Sequence, residues 1–201
     1  MKRFLEVSVL SILVLSAGAF VHAQPKLSPT PSPAPAKIEP AKFDGNVEFP
    51  EVSGWTLAPK YVYPTPDLGY SVNYESPEGA RVIVYVYDGG QTTIPNNLNG
   101  VVVDEMNRAK AEIQASVDSG RYESAKMLRS ETVNFGGISG RVKALYASYD
   151  LGISGNQLYS EIYLFPYQNY FVKIRATRPK AYATSDAVVD LLAKLGVLFL
   201  R

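Results

Sequence analysis

The chain has 201 residues, 20 Lys and Arg against 19 Asp and Glu, no Cys and one His. That length suits one domain with a tail, and the balanced charge disfavours nucleic acid and anionic membranes as general partners. The single histidine, His22, lies within the first 23 residues, so the chain beyond them carries neither imidazole nor thiol. Ser-His-Asp and Cys-His catalysis are thereby excluded, along with the His and Cys ligand sets of most zinc and copper sites.

Lys2 and Arg3 precede an apolar run from Val7 to Val21 and the small-residue pattern Val21-His22-Ala23. These are the parts of a secretory signal peptide, residues 1–23, cut after Ala23. An uncleaved membrane anchor is the competing reading, against which stand the short run and Glu6 at its start. Cleavage removes Lys2, Arg3 and Glu6, so 20 basic and 19 acidic residues become 18 and 18. The expected location is the periplasm or the exterior, with no transmembrane segment after cleavage. Residues 24–42, QPKLSPTPSPAPAKIEPAK, hold six prolines and almost nothing large enough to bury. They read as an extended tail or linker, with a reach of roughly 60 Å in a polyproline conformation.

A single α+β domain is expected over 43–201. Val47, Phe49, Val52, Trp55 and Leu57 arrive among Gly and Pro, which fits short edge strands or an irregular lead-in. Gly69 to Gly90 reads as two strands joined by the turn Ser76-Pro77-Glu78-Gly79. In the second strand Val82, Val84 and Val86 share one face and Ile83, Tyr85 and Tyr87 the other, so it belongs inside a sheet packed on both sides. A helix is predicted over Val101–Val117, with Val102, Met106, Ala109, Ile113 and Val117 as its apolar stripe, Glu105 and Arg108 off it, and Gly120 ending it.

Four strands are predicted next, over 124–135, 138–149, 157–165 and 170–177. Gly136-Gly137 reads as a two-residue turn pairing Phe135 with Ile138 and putting Met127 and Val133 on one face with Val142, Ala144 and Tyr146. The link from Asp150 to Asn156 reads as a longer, Gly-rich loop. For the last hairpin a three-residue loop, Tyr167–Asn169, places Leu158, Ile162 and Leu164 on one face with Val172, Ile174 and Ala176, and sets Glu161 opposite Arg175. A closing helix starts near Thr184 or Ser185, buries Val188, Leu191, Leu192 and Leu195, and stops at Gly196. Val197 to Leu200 are expected to pack down and close the core.

No SxxK, GxSxG, GxGxxG or phosphate-loop pattern occurs, and the two GISG copies, at 137–140 and 152–155, fall at expected hairpin turns. Carboxylate chemistry stays formally open. Its best single candidate is Glu161, between Tyr159 and Tyr163, with a structural ion pair as the plainer reading. No catalytic residue, metal site or cofactor is expected. Fourteen tyrosines and Trp55 supply apolar bodies with polar tips, suited to binding peptides or sugars. One cluster comprises Tyr61, Tyr63, Tyr70, Tyr85 and Tyr87, and a second comprises Tyr159, Tyr163, Lys143, Lys173 and Arg175. Strand propensity alone is the plainer account of tyrosine at such positions.

Two strands, a long helix, four antiparallel strands and a closing helix, with LGYSVNYES, RVIVYVYDGG and YFVKIRATRP at their places, resemble the PsbP/Mog1-like family of α/β/α sandwiches over about Gly69 to Gly196. The resemblance implies an accessory or protein-binding domain without catalysis, as in a photosystem II extrinsic subunit, a Ran-binding protein and bacterial envelope proteins. It transfers no functional residue. The expectation is a secreted, non-enzymatic domain binding an envelope or secreted protein, with a glycan- or cell-wall-binding module using Trp55 and exposed tyrosines as the alternative.

Overall fold

Val82, Val84 and Val86 on one face and Ile83, Tyr85 and Tyr87 on the other make β4 (Arg81–Tyr87) apolar or aromatic on both, and it sits inside the sheet between β3 (Tyr70–Glu75) and β8 (Tyr170–Pro179). The computed structural model describes residues 47–136 and 142–200. The expected signal peptide and Pro-rich stretch lie outside the described residues. The sheet order is β1-β3-β4-β8-β7-β6-β5, with β1 (Thr56–Leu57) and β2 (Tyr61–Val62) both paired to β3. β5 (Ser124–Phe135), β6 (Val142–Ile153) and β7 (Asn156–Tyr167) complete it, and every pairing is antiparallel. Helix α1 (Val101–Asp118) carries the chain from β4 to the far edge, and the meander from β5 to β8 brings it back beside β4. With α2 (Asp186–Leu198) closing the chain, the fold is the expected α+β arrangement of two helices on one antiparallel sheet.

Two cores result, one for each face. Val82, Val84, Val86, Val172, Ile174, Ala176 and Phe165 pack with Val188, Leu191, Leu192 and Leu195 of α2. Tyr87, Ala147, Leu151, Ile162, Leu164 and Phe171 pack with Val102, Met106, Ala109 and Ile113 of α1. Glu105, expected off the stripe, is buried on that second core. Its carboxylate accepts from Tyr87 Oη at 2.5 Å and meets Arg108 Nη1 at 3.0 Å, which satisfies the charge.

The hairpins depart from the sequence reading because turn chemistry, not apolar pattern, sets the register. Gln168 and Asn169 have φ of 47° and 67°, so the β7–β8 turn has two residues and both are left-handed. Tyr167 therefore pairs with Tyr170 and Glu161 with Ala176, not Arg175. Ile162 and Leu164 lie opposite Arg175 and Lys173, while Val172, Ile174 and Ala176 share their face with Phe165, Tyr163 and Glu161. With both faces buried, either parity looked apolar. Asn169 also accepts from the Ile94 N–H through Oδ1 at 2.8 Å, tying the turn to the loop ahead of α1.

β6 runs on to Ile153, where the expected long link is the tight turn Ser154-Gly155, with φ of 50° and 76°. Phe135 pairs with Val142 rather than Ile138, and part of that connection lies outside the described residues. Val133 shares a face with Val142, Ala144 and Tyr146 as expected, but a bulge between Met127 and Arg129 turns Met127 to the other face.

Two glycines are fixed by close approach. A Cβ on Gly69, whose φ is 56°, would stand 2.0 Å from the Val86 carbonyl oxygen. Gly196 does not stop α2, which continues to Leu198 and delivers Phe199 to the core while Val197 and Leu200 stay exposed. A Cβ there would lie 2.5 Å from Gly136 Cα, so α2 and the end of β5 meet backbone to backbone. Gly196→Ala gains up to about 1 kcal/mol in helix propensity. A net loss of about 1–2 kcal/mol in urea unfolding is nevertheless expected, because neither backbone can yield without repacking.

Candidate functional site

Helix α1 lies chiefly over β5, β6 and β7, reaches β4 through the Glu105–Tyr87 hydrogen bond and β8 through the Glu112–Lys173 pair, and leaves the sheet on its side only partly covered from β8 through β4 to β3. The strand registers lay two rows of side chains across this partly covered half: Ser71, Tyr85 and Lys173 in one, Asn73, Ile83 and Arg175 in the next. Apart from the buried Ser71, all of them are half-buried. Tyr61, opposite Ser71 and 54% exposed, forms the rim with Tyr63, their rings edge-on at 5.0 Å. Tyr63 Oη donates to Ser71 Oγ at 3.3 Å.

Cations and aromatic rings interleave on this shelf. Lys173 Nζ stands 5.2 Å from the Tyr85 ring and 5.3 Å from the Tyr87 ring, with Glu112 of α1 at 3.6 Å. Arg175 donates to Tyr122 Oη at 2.9 Å and Ser160 Oγ at 3.3 Å. At the shelf's end Glu75 accepts from Asn73 at 2.9 Å and from Arg81 at 2.6 Å. Chiefly the Asn73 hydrogen bond, and then the Arg81 charge, hold its carboxyl below the ordinary range.

The structure divides both expected clusters. Tyr70 is buried on the α2 side, beneath Lys60 and edge-on to Phe49, whereas Tyr85 and Tyr87 face α1. Glu161, Tyr159 and Tyr163 likewise face α2, so they form no surface with Lys173 and Arg175. Lys143 is exposed at the start of β6. Trp55 is half-buried against the α2-side core, away from the shelf, and lines an open hollow of about 480 Å³ with neighbouring loop residues.

Glu161 is enclosed rather than presented. Its Oε2 lies 2.7 Å from Arg178 Nη1, and its Oε1 accepts from Tyr146 Oη at 2.9 Å and Tyr163 Oη at 3.2 Å. Arg178 also donates through Nε to the Tyr182 and Ala183 carbonyls, so the pair braces β7 against the segment that leads into α2. The Arg178 guanidinium covers the Tyr159 ring at 4.8 Å. Burial first, with the Glu161 carboxylate adding to it, pushes the Tyr163 hydroxyl far above its ordinary pKa. Arg178 escaped sequence reasoning, yet it left a signal: it falls in the apolar register of Ile174 and Ala176, as Glu161 falls in that of Tyr163 and Phe165. Opposite charges in two buried registers are each other's natural partners. Tyr122 left no comparable signal.

Among the described residues no group of three or more Asp or Glu is placed to hold a metal ion, and no helix is long and apolar enough to cross a membrane.

No family model matches the chain, and no curated protein does. Among solved structures it is similar to cyanobacterial PsbP (CyanoP) from Synechocystis sp. PCC 6803. The identity is 12%, the match covers 75% of this chain and 85% of that one, and the TM-score is 0.48. The likeness is one of fold, and it is to a protein carrying the PsbP name.

Removing one partner of a buried ion pair strands the other, so Glu161→Ala is expected to cost about 3–5 kcal/mol in urea unfolding. Glu75→Ala, at the half-exposed Arg81 pair, should cost less than about 1 kcal/mol. Burial also pushes Tyr70, Tyr74 and Tyr85 from 10.0 up to about 12, with Tyr63 adding to the rise at Tyr85. The unfolded chain ionises these groups first, so their contribution to stability is complete below pH 10.0 and is lost as pH climbs to about 12. Urea midpoints measured across that window should fall, and less steeply in Tyr85→Phe.

Proposed function

We propose that this protein is a secreted or periplasmic, non-enzymatic accessory domain that binds a protein partner on the shelf formed by β3, β4 and β8. The observation that carries the reading is the half of the sheet that α1 covers only in part, where Tyr61, Tyr63, Ile83 and Tyr85 lie among Lys173 and Arg175. A sheet face left open by its own helix would ordinarily alternate toward small polar residues. This one offers aromatic rings and long cations, the side chains enriched at protein interfaces. The signal-like N-terminus and the lack of imidazole and thiol beyond Ala23 support secretion and the absence of catalysis.

Photocrosslinking in the secreting cell tests this. A benzoylphenylalanine at Tyr61 should capture one defined protein that the same group at Val189, on the outer side of α2, does not. Substituting Tyr85→Ala alongside it should reduce capture by about ten-fold, as loss of a central aromatic anchor does. Identical products from both positions, or none from Tyr61, would overturn the proposal.

A further inference from the structure

Three described arginines are not exposed: Arg81, Arg175 and Arg178. Arg81 holds Glu75 and Arg178 holds Glu161, but Arg175 meets only neutral oxygens, those of Ser160 and Tyr122. Its Nη1 has no hydrogen-bond partner among the described residues. Across the strands it stands between Ile83 and Ile162, which offer no charge. Two residues along the same face, roughly 7 Å away, is Lys173. Among the described residues the carboxylate paired with these cations is Glu112, 3.6 Å from Lys173 and with a half-exposed side chain. A guanidinium partly withdrawn from water, with a like charge beside it, is costly until an anion arrives.

We infer that the shelf receives a carboxylate of an acidic peptide segment from the protein partner, held by Arg175 between Tyr85 and Tyr122 with Lys173 as the second cation. This rests on reading the shelf as a protein-binding surface. A carboxylate oxygen would add a charge-assisted bond to the two neutral ones that Arg175 makes, and bonds of this kind are the strong ones. Two cations set against Glu112 leave one net positive charge, which matches a single carboxylate better than a doubly charged phosphate. Ile83 and the rings of Tyr63 and Tyr85 supply contact for the aliphatic parts of the bound chain.

Blocked pentaglutamate, blocked pentaglutamine and trigalacturonate are the probes, added to folded protein and followed by the NMR signals of arginine Nε–H and the tyrosine rings. Pentaglutamate should shift Arg175, Tyr85 and Tyr122, and pentaglutamine should not. Arg175→Gln should weaken pentaglutamate binding by about ten-fold, and Lys173→Gln and Tyr122→Phe by about three-fold each. The latter two carry the test if Arg175→Gln does not fold. Equal binding of both peptides, no shift with pentaglutamate, or tighter binding of trigalacturonate would overturn the inference, the last by assigning the site to acidic sugars. If crosslinking from Tyr61 captures a partner and Arg175→Gln leaves that capture unchanged, the acidic-peptide inference fails and the shelf reading stands. No capture from Tyr61 at all overturns the shelf reading itself.

Discussion

Burial of the sheet on both sides is the constraint from which the other features follow. Most side chains of β4, β7 and β8 enter one of two interiors, and those of β4 and β8 that reach past α1 are only half-buried. Polar residues in those strands therefore need partners built for them. Glu161 and Arg178 meet this demand under the α2 side, and Glu105 meets it with Tyr87 and Arg108 beneath α1. Lys173 and Arg175 stand at the margin of α1, where burial is incomplete and the demand is only partly met.

The two helices do different work because they cover the sheet differently. Helix α2 docks so closely that Gly196 touches the backbone of Gly136, and its apolar stripe meets residues contributed by β4, β8 and β7. Helix α1 lies chiefly over β5 to β7 and covers β8, β4 and β3 only in part. The lead-in chain does not fill that gap: Val52 and Phe49 pack on the α2 side, and Tyr74 Oη donates to the Pro50 carbonyl there at 3.0 Å. The shelf thus results from where the covering elements go, as much as from the residues on it.

Periodicity was enough to read the strands and helices but not how they pair. The valine face of β4 and the stripe of α1 were legible, because spacing of two or of three to four residues assigns a face directly. The β7–β8 register was not, since strands apolar on both faces look alike after a one-residue slip and Gln168 is an uncommon residue for a left-handed turn position. Gly196 resembled a helix stop because close packing and termination both favour glycine. In the candidate site, Tyr85, Lys173 and Arg175 were legible as strand residues of mixed character. Their separation from Glu161 and Tyr70 followed only from parity across the sheet.

The two margins of the sheet differ from its interior. On one side the chain divides its pairing with β3 between two dipeptides, β1 and β2, separated by Ala58-Pro59-Lys60. On the other, the twelve-residue β5 is interrupted by its bulge and carries Lys126, Arg129 and Glu131 toward solvent. Neither margin offers the long, flat, uncharged row of backbone groups onto which a foreign strand could add. A disulfide-free domain rich in β-branched and aromatic strands is thereby guarded against sheet-to-sheet aggregation, and association is directed to its side-chain surfaces.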